Sequence, residues 1–281
     1  MEYSGLITAL ITPFKEGQVD EKALSQLINF QLQHEVKALL VLGSTGEGNS
    51  LNEKEQACVI ELAASMGAGK TKLIVCCGGV STEEVTQKAI RAEKRGADAL
   101  LLTSPYYCRP TQEGLRLHFE RVAKAVSLPI ILYNHPKRCG VEIGIETLKK
   151  LSTCSQIIGI KDASNDLSYA AALIHELPSL HLFAGDDVAA LPLLAIGAKG
   201  LFSVLSNLKP SRMKELASQR EPSLFRALYP LMVLTQLESN PISIKAMMNH
   251  HGLPAGELRL PLTPLSESNH TLLTEVMHQY G

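Results

Sequence analysis

The chain has 281 residues, 45% of them hydrophobic, a formal net charge of −1 at pH 7 and no tryptophan. This length and apolar content suffice for one large α/β domain, whereas the balanced charge and the few aromatic residues argue against a nucleic-acid-binding surface. No apolar run reaches the ~18 residues of a membrane span.

The N-terminal sequence and the cysteines bear on the cellular compartment. Met1-Glu2-Tyr3-Ser4-Gly5 lacks the charged and apolar regions of a signal peptide. The six cysteines form no C-x-x-C pair, which disfavours a disulfide scaffold or a zinc site in a chain of this length. We therefore expect a cytoplasmic protein with reduced thiols and no metal site.

Eight short apolar runs predict the strands of the fold. The runs are continuous rather than alternating, as expected of parallel strands that are buried on both faces. Segments with helical patterns separate them at roughly the spacing of repeated βα units. The runs begin at Gly5, Ala38, Leu73, Ala99, Pro129, Ile157, His181 and Gly200.

Helix-capping residues lie between several of these runs. Asn52 and Glu55 resemble a capping box, and Ser81 and Glu84 match one. Gly96 is placed to end the helix that Ser81 begins, because glycine readily adopts the left-handed conformation found there. Each apolar run is thus followed by a helix.

Alternating strands and helices predict an α/β fold, a (β/α)8 TIM barrel with a C-terminal helical appendage. A doubly wound sheet is disfavoured, because the first run leads into Thr12-Pro13-Phe14 rather than a glycine-rich phosphate-binding turn. We expect the barrel over residues 1–208 and a helical extension, packed on it, over residues 209–281. The extension has helical patterns at 224–237, at 242–248 and from Ser266 or Ser268 to Gln279.

Polar residues follow the apolar runs at the strand ends where barrel enzymes place their chemistry. Lys161 ends the sixth run, and burial there would lower its pKa and provide a neutral amine for imine formation. Residues 43–48 (GSTGEG) offer hydroxyl and backbone N–H groups for a carboxylate. Tyr133 ends the fifth run, and Arg138 follows it with a guanidinium suited to a second carboxylate. Together these residues indicate a site that binds a small keto acid.

Simpler interpretations of single features remain open. Lys161 could extend to solvent, and residues 43–48 could form an ordinary βα turn. Asp186 and Asp187 follow the seventh run, and we interpret them as loop or helix-capping residues rather than as a metal pair.

Six segments, in this order, resemble the pyruvate-dependent class I aldolases, the family that includes dihydrodipicolinate synthase and N-acetylneuraminate lyase. The resemblance extends from about Gly5 to Pro264. The segments are GSTGE at 43–47, TSPYYCRPTQEGL at 103–115, YNHPKRCG at 133–140, GIKDAS at 159–164, AGDD at 184–187 and NPISIK at 240–245.

This resemblance implies four catalytic residues. Lys161 would form a Schiff base with pyruvate. Tyr133 would relay protons as the imine forms, and Ser44 and Tyr107 would complete the relay. In the family this second tyrosine comes from the neighbouring subunit of a tight dimer. No cofactor is implied, since the lysine itself carries the substrate.

The resemblance also implies four substrate-binding residues. Thr45 would hold the pyruvate carboxylate, together with nearby backbone N–H groups. Arg138 would receive the carboxylate of the incoming aldehyde. Gly185 and Phe202 would line the pyruvate pocket.

Within the family, Arg138 and the Tyr106-Tyr107 pair are typical of the synthases. We therefore expect condensation of pyruvate with L-aspartate 4-semialdehyde to 4-hydroxy-tetrahydrodipicolinate, in diaminopimelate and lysine biosynthesis. Ser44 is common in the lyases, and Phe202 is larger than the usual isoleucine or valine. The alternative is thus an N-acetylneuraminate lyase or 2-keto-3-deoxy sugar acid aldolase that releases pyruvate. A non-catalytic keto-acid-binding barrel would not explain a lysine and a tyrosine at one barrel mouth.

Assembly and regulation are also implied by the resemblance. We expect a homotetramer built as a dimer of dimers, with no nucleic-acid or membrane partner. Many synthases are inhibited by lysine in a cleft between two subunits, and Val80 replaces an asparagine that binds this effector. We therefore expect weak or no inhibition by lysine. The resemblance places the cleft at Gly48, Asn49, Glu53, Gln56, Val80, Glu84 and Tyr106.

Overall fold

The computed structural model describes residues 3–281. Met1 and Glu2 lie outside the described residues. They begin the N-terminal segment in which the sequence shows no signal-peptide pattern. Eight parallel strands form a closed barrel, because the first strand pairs with both the second and the eighth. All eight predicted strands are confirmed. They are β1 Gly5–Ala9, β2 Ala38–Val41, β3 Lys72–Cys77, β4 Ala99–Thr103, β5 Ile130–Asn134, β6 Ile157–Asp162, β7 His181–Ala184 and β8 Gly200–Ser203.

Helices follow the strands and surround the barrel, which confirms the predicted TIM barrel. They are α1 Glu21–Gln33, α2 Glu53–Gly67, α3 Thr82–Lys94, α4 Gln112–Ala123, α5 Pro136–Cys139, α6 Ile145–Leu151, α7 Leu167–Glu176, α8 Ala190–Ile196, α9 Pro210–Gln219, α10 Pro222–Leu234, α11 Ile242–His250 and α12 Glu267–Tyr280. Two 3-10 turns, Gly48–Ser50 and Leu205–Asn207, and a small hairpin of Phe14–Lys15 with Gln18–Val19 were not predicted.

The capping predictions differ in outcome. Asn52 and Glu55 form a complete capping box at α2, as predicted. At α3 the predicted box is only half formed, since the Ser81 hydroxyl accepts from the Glu84 N–H at 3.4 Å. The Glu84 carboxylate instead pairs with Lys88 Nζ at 2.8 Å, one helical turn further on, a favourable i,i+4 arrangement. Gly96 follows the end of α3 with a φ of +94°, as predicted.

Side chains of the strands divide between a barrel interior and a layer beneath the helices. Ile131 and Tyr133 of β5 face the interior, while Ile130 and Leu132 join the outer core. Between β5 and β6 the register shifts, because Ile130 pairs with Ile157 and the next residue pairs with Gly159. The intervening residue of β6 is therefore an extra one, a β-bulge. Beyond this bulge Lys161 is the register partner of Tyr133.

The C-terminal helices confirm the predicted appendage. Helix α12 packs against α10 and α11 and buries Leu273 and Met277. The boundary between residues 208 and 209 remains a prediction, and α9, which follows it, packs against β1. Over residues 3–281, none of the helices is both long and apolar enough to cross a membrane.

Candidate active site

The loop after β2 forms one wall of the site. A Cβ on Gly48 would lie 2.0 Å from the Leu42 carbonyl oxygen, so the tight turn of this loop requires glycine. Thr45 is buried, and its hydroxyl accepts a hydrogen bond of 2.9 Å from the Asn240 side-chain amide. Ser44 is half-buried beside it. The loop thus presents two hydroxyls, one of which is held in place by a residue near the start of α11.

Lys161 lies inside the barrel at the end of β6. Its side chain is 5% exposed, and its Nζ lies 4.1 Å from the centre of the Tyr133 ring and 5.0 Å from that of Phe202. Burial lowers the pKa of Lys161 to about 8, and the positive charge of Arg138 adds to this effect. The lysine therefore does not extend to solvent, and a substantial fraction of its amine is neutral near pH 8.

Tyr133 and Phe202 surround this amine in different ways. Burial raises the pKa of the Tyr133 phenol, so that it remains a protonated hydrogen-bond donor at neutral pH. Phe202 is fully buried and packs edge-to-face on Phe183 at 5.6 Å between ring centres. Its ring forms an apolar floor beneath Lys161.

Gly185 and Asp187 form the wall next to β7. A Cβ on Gly185 would lie 2.7 Å from the Asp162 carbonyl oxygen, so a larger residue would displace the end of β6. One oxygen of the Asp187 carboxylate accepts hydrogen bonds from the Val204 and Leu205 N–H groups. Asp187 thus fixes the turn after β8, in agreement with its interpretation as a loop residue.

The segment after β5 carries Arg138 and His135. Arg138 is exposed, and its guanidinium lies 3.5 Å from the Asn240 carbonyl oxygen. The His135 imidazole packs on the Tyr133 ring, with 5.6 Å between ring centres. Burial, assisted by the charge of Arg138, lowers the pKa of His135 to about 4, so the imidazole is neutral at physiological pH.

A cavity of about 460 Å³, the lysine cavity, brings most of the predicted residues together. Its lining includes Ser44, Thr45, Tyr133, Arg138, Lys161 and Gly185. A second cavity of about 290 Å³, the side cavity, shares Ser44, Tyr133, His135 and Arg138 with it and extends towards Lys88 and Tyr106. An amine, a phenol, two hydroxyls and a guanidinium therefore converge on one space, which suits imine formation with a small keto acid.

Of the two predicted site residues outside this lining, Phe202 packs beneath Lys161, whereas Tyr107 does not reach the cavity. Its side chain is 92% exposed and its backbone has a left-handed φ of +68°. A tyrosine so exposed has most of its ring free for contact with another chain.

A buried ion pair behind the loop after β2 was missed by the sequence analysis. Glu47 and Lys245 lie 2.5 Å apart, and both side chains are 2% exposed. Lys245 Nζ also donates to the Glu257 carbonyl oxygen, and the second Glu47 oxygen accepts from the Arg259 N–H. Both residues lie in segments singled out above, but their pairing across nearly 200 positions has no local sequence signal.

Asn240 and His135 were likewise missed as site residues. Their segments, NPISIK and YNHPKRCG, were noted in the sequence, but contacts with Thr45 and Tyr133 become visible only in three dimensions. Among the described residues, no group of three or more histidine, cysteine, aspartate or glutamate side chains is arranged to hold a metal ion.

Comparison with known proteins agrees with this geometry. The chain matches the model of the dihydrodipicolinate synthetase family over residues 2–280. The 4-hydroxy-tetrahydrodipicolinate synthase of Protochlamydia amoebophila (strain UWE25) is 40% identical over 291 aligned residues, which cover 99% of this chain and 97% of that protein.

Two solved structures are also similar. A chloride-inhibited dihydrodipicolinate synthase from Acinetobacter baumannii, complexed with pyruvate, has a TM-score of 0.97 and 36% identity, covering 100% of this chain and 99% of that one. The enzyme from Cyanidioschyzon merolae with lysine bound has a TM-score of 0.93 and 32% identity, covering 99% of this chain and 98% of that one.

Proposed function

The chain belongs to the dihydrodipicolinate synthetase family, and we propose that its lysine cavity condenses pyruvate with L-aspartate 4-semialdehyde. The product is 4-hydroxy-tetrahydrodipicolinate, an intermediate of diaminopimelate and lysine biosynthesis, and the enzyme is a lyase of the class I aldolase type. The observation that carries the proposal is the buried Lys161 amine, 4.1 Å from the centre of the Tyr133 ring. The alternative, an N-acetylneuraminate lyase or a 2-keto-3-deoxy sugar acid aldolase, has no comparable support, since the full-length relatives are synthases.

The first half of the reaction follows from the surroundings of Lys161. Its neutral amine attacks the keto carbon of pyruvate, and the keto oxygen leaves as water once it has gained protons. In this scheme the Tyr133 phenol and the Ser44 hydroxyl, which line the same cavity, pass these protons. Thr45, oriented by Asn240, holds the pyruvate carboxylate.

In the second half, loss of a methyl proton converts the imine into an enamine. The enamine carbon attacks the aldehyde carbon of the second substrate, whose carboxylate is held by the Arg138 guanidinium. The amino group of that substrate then attacks the imine carbon and displaces Lys161. Ring closure therefore returns the lysine to its starting state.

Tyr107 acts in this scheme at the site of a neighbouring subunit. Its 92% exposure supports this role, as does the family pattern in which the second tyrosine of the relay crosses a tight dimer. The family resemblance further supports a homotetramer of two tight dimers. Size-exclusion chromatography with light scattering tests this assembly. A Tyr107→Phe chain mixed with a Lys161→Ala chain tests whether Tyr107 serves the partner's site.

A substrate panel tests the function as a whole. Pyruvate with L-aspartate 4-semialdehyde should give product, whereas N-acetylneuraminate and 2-keto-3-deoxy sugar acids should not be cleaved to pyruvate at a comparable rate. Efficient cleavage of either sugar acid without condensation would contradict the proposal.

A further inference from the structure

His135 is a polar residue at the active site that the mechanism above does not use. It lines both the lysine cavity and the side cavity. The Tyr133 ring lies beside it, with its centre 5.6 Å from the imidazole and 4.1 Å from Lys161 Nζ. His135 precedes α5, but its side chain makes no capping hydrogen bond to that helix. The side chain therefore has no evident role in local structure.

The surroundings of the two ring nitrogens of His135 determine which one carries the proton. Nδ1 is shielded from solvent and has no hydrogen-bond partner within residues 3–281. An unpaired lone pair in such a place is better tolerated than an unpaired N–H group. The neutral ring therefore carries its proton on Nε2, the nitrogen that is not enclosed. Its pKa of about 4 keeps it in this form above about pH 5.

We propose that the Nε2–H group of His135 donates a hydrogen bond to the aldehyde oxygen of the second substrate. The inference rests on the proposed function and adds a substrate-contacting residue to the same site. The donor stabilises the negative charge that develops on this oxygen as the carbon–carbon bond forms. Arg138 lies three residues away and holds the substrate carboxylate, so the two residues together orient the aldehyde.

The step balances without a change in the protonation of His135. The enamine electron pair forms the new carbon–carbon bond, and the electron pair of the C=O π bond moves onto the aldehyde oxygen. The resulting alkoxide takes a proton from the substrate ammonium group, which must lose one before its nitrogen can attack the imine carbon. His135 retains its own proton throughout.

Three substitutions test this role. His135→Leu removes the donor, His135→Gln keeps an N–H donor near the position of Nε2, and His135→Asn places one near Nδ1. Loss of one such donor typically lowers kcat by about 100-fold or more, so we expect this loss of condensation in His135→Leu and His135→Asn. Condensation by His135→Gln should be about tenfold faster than condensation by His135→Leu. Borohydride trapping of the pyruvate imine should remain within about twofold of wild type in all three variants.

His118 provides a matched control. Burial also lowers the pKa of His118 to about 4, and its Nε2 is likewise buried without a partner among the described residues. Its Nδ1, however, lies 2.9 Å from the Thr82 hydroxyl between α3 and α4, away from both cavities. His118→Leu should therefore leave the condensation rate unchanged at a temperature where the protein is folded.

The outcomes separate this proposal from the proposed function. Condensation by His135→Leu within threefold of wild type, or equal losses in the Leu and Gln variants, would overturn the role of His135. A loss of imine trapping as large as the loss of condensation would show a merely structural effect and would also overturn it. A wild-type protein that traps pyruvate without condensing the semialdehyde would instead reject the function itself.

Discussion

Lys161 and Tyr133 are register partners on β6 and β5, and the lysine Nζ lies 4.1 Å from the centre of the tyrosine ring. Two effects of this arrangement act in opposite directions. The face of an aromatic ring stabilises a cation, whereas removal from water disfavours the charged amine. Burial is the largest cause of the shift in the pKa of Lys161, which falls to about 8.

The first prediction concerns the pH dependence of imine formation. A pKa of about 8 leaves roughly a tenth of the Lys161 amine neutral at pH 7. The rate of borohydride-trapped imine formation at subsaturating pyruvate should therefore rise about tenfold per pH unit below about pH 7, rise more slowly through pH 8, and level off above about pH 9. Lys161→Ala should abolish the label. Lys137→Ala, which removes a second lysine from the cavity lining, should keep it. A label on any other lysine would contradict the assignment.

The second prediction separates the two substrates. Arg138→Ala should raise the KM for L-aspartate 4-semialdehyde or lower kcat/KM by about 10- to 100-fold, as expected for lost charge-assisted hydrogen bonds. Imine formation with pyruvate should persist. Lys137→Ala again serves as a control for cavity charge. The assignment would be wrong if Arg138→Ala eliminated imine trapping as completely as Lys161→Ala does.

The third prediction concerns the hydrogen bond between Thr45 and Asn240. Asn240→Ala removes the donor that orients the Thr45 hydroxyl, so the KM for pyruvate should rise by about three- to tenfold, the equivalent of about 1 kcal/mol. Asn165→Ala is a suitable comparison, because Asn165 lies in the same cavity lining but bonds to Asp186. Steady-state kinetics at varied pyruvate measure both. Equal KM values for the two variants would contradict a role in pyruvate binding.

The fourth prediction concerns the buried ion pair of Glu47 and Lys245. Glu47→Gln leaves the lysine without a compensating charge, so the free energy of unfolding should fall by about 3–5 kcal/mol. The exposed pair of Arg212 and Glu215 provides the control, and Glu215→Gln should change stability by less than about 0.5 kcal/mol. Urea unfolding followed by circular dichroism measures both variants. Similar decreases in the free energy of unfolding for the two variants would show that the buried pair is no more stabilising than the exposed one.

The fifth prediction concerns regulation. Val80 is 47% exposed and offers no hydrogen bond, and the Glu84 carboxylate is already paired with Lys88. A bound lysine would leave a polar group poorly paired at a cost of about 1–3 kcal/mol, or roughly one to two orders of magnitude in affinity. We therefore expect a lysine titration to show half-inhibition only above millimolar concentrations, and Val80→Asn to increase the sensitivity. Strong inhibition of the wild type at sub-millimolar lysine would refute this.

The barrel was predictable because its signals are local. Each strand is a run of four to six residues, and caps such as Asn52 with Glu55 involve neighbours in the sequence. The contacts that orient the site are not local. Thr45 with Asn240 and Glu47 with Lys245 join residues about 195 positions apart, and no residue pattern specifies such pairs. Tyr107 is exposed within the chain, and the contacts proposed for it lie on a neighbouring subunit, so no intrachain contact reveals its role.

The bulge in β6 determines which face of the strand carries Lys161. Successive residues of a strand point to opposite faces, so the number of residues between the start of β6 and Lys161 determines where the amine points. With Ile158 as the extra residue, the lysine points into the barrel and Ile160 lies beneath the helices. If all residues of β6 instead paired regularly from Ile157 onward, with no bulge, these faces would be exchanged, placing an isoleucine in the lysine cavity and the amine under an apolar helix layer. The bulge thus determines whether this strand presents a nucleophilic amine or only an aliphatic side chain to the cavity.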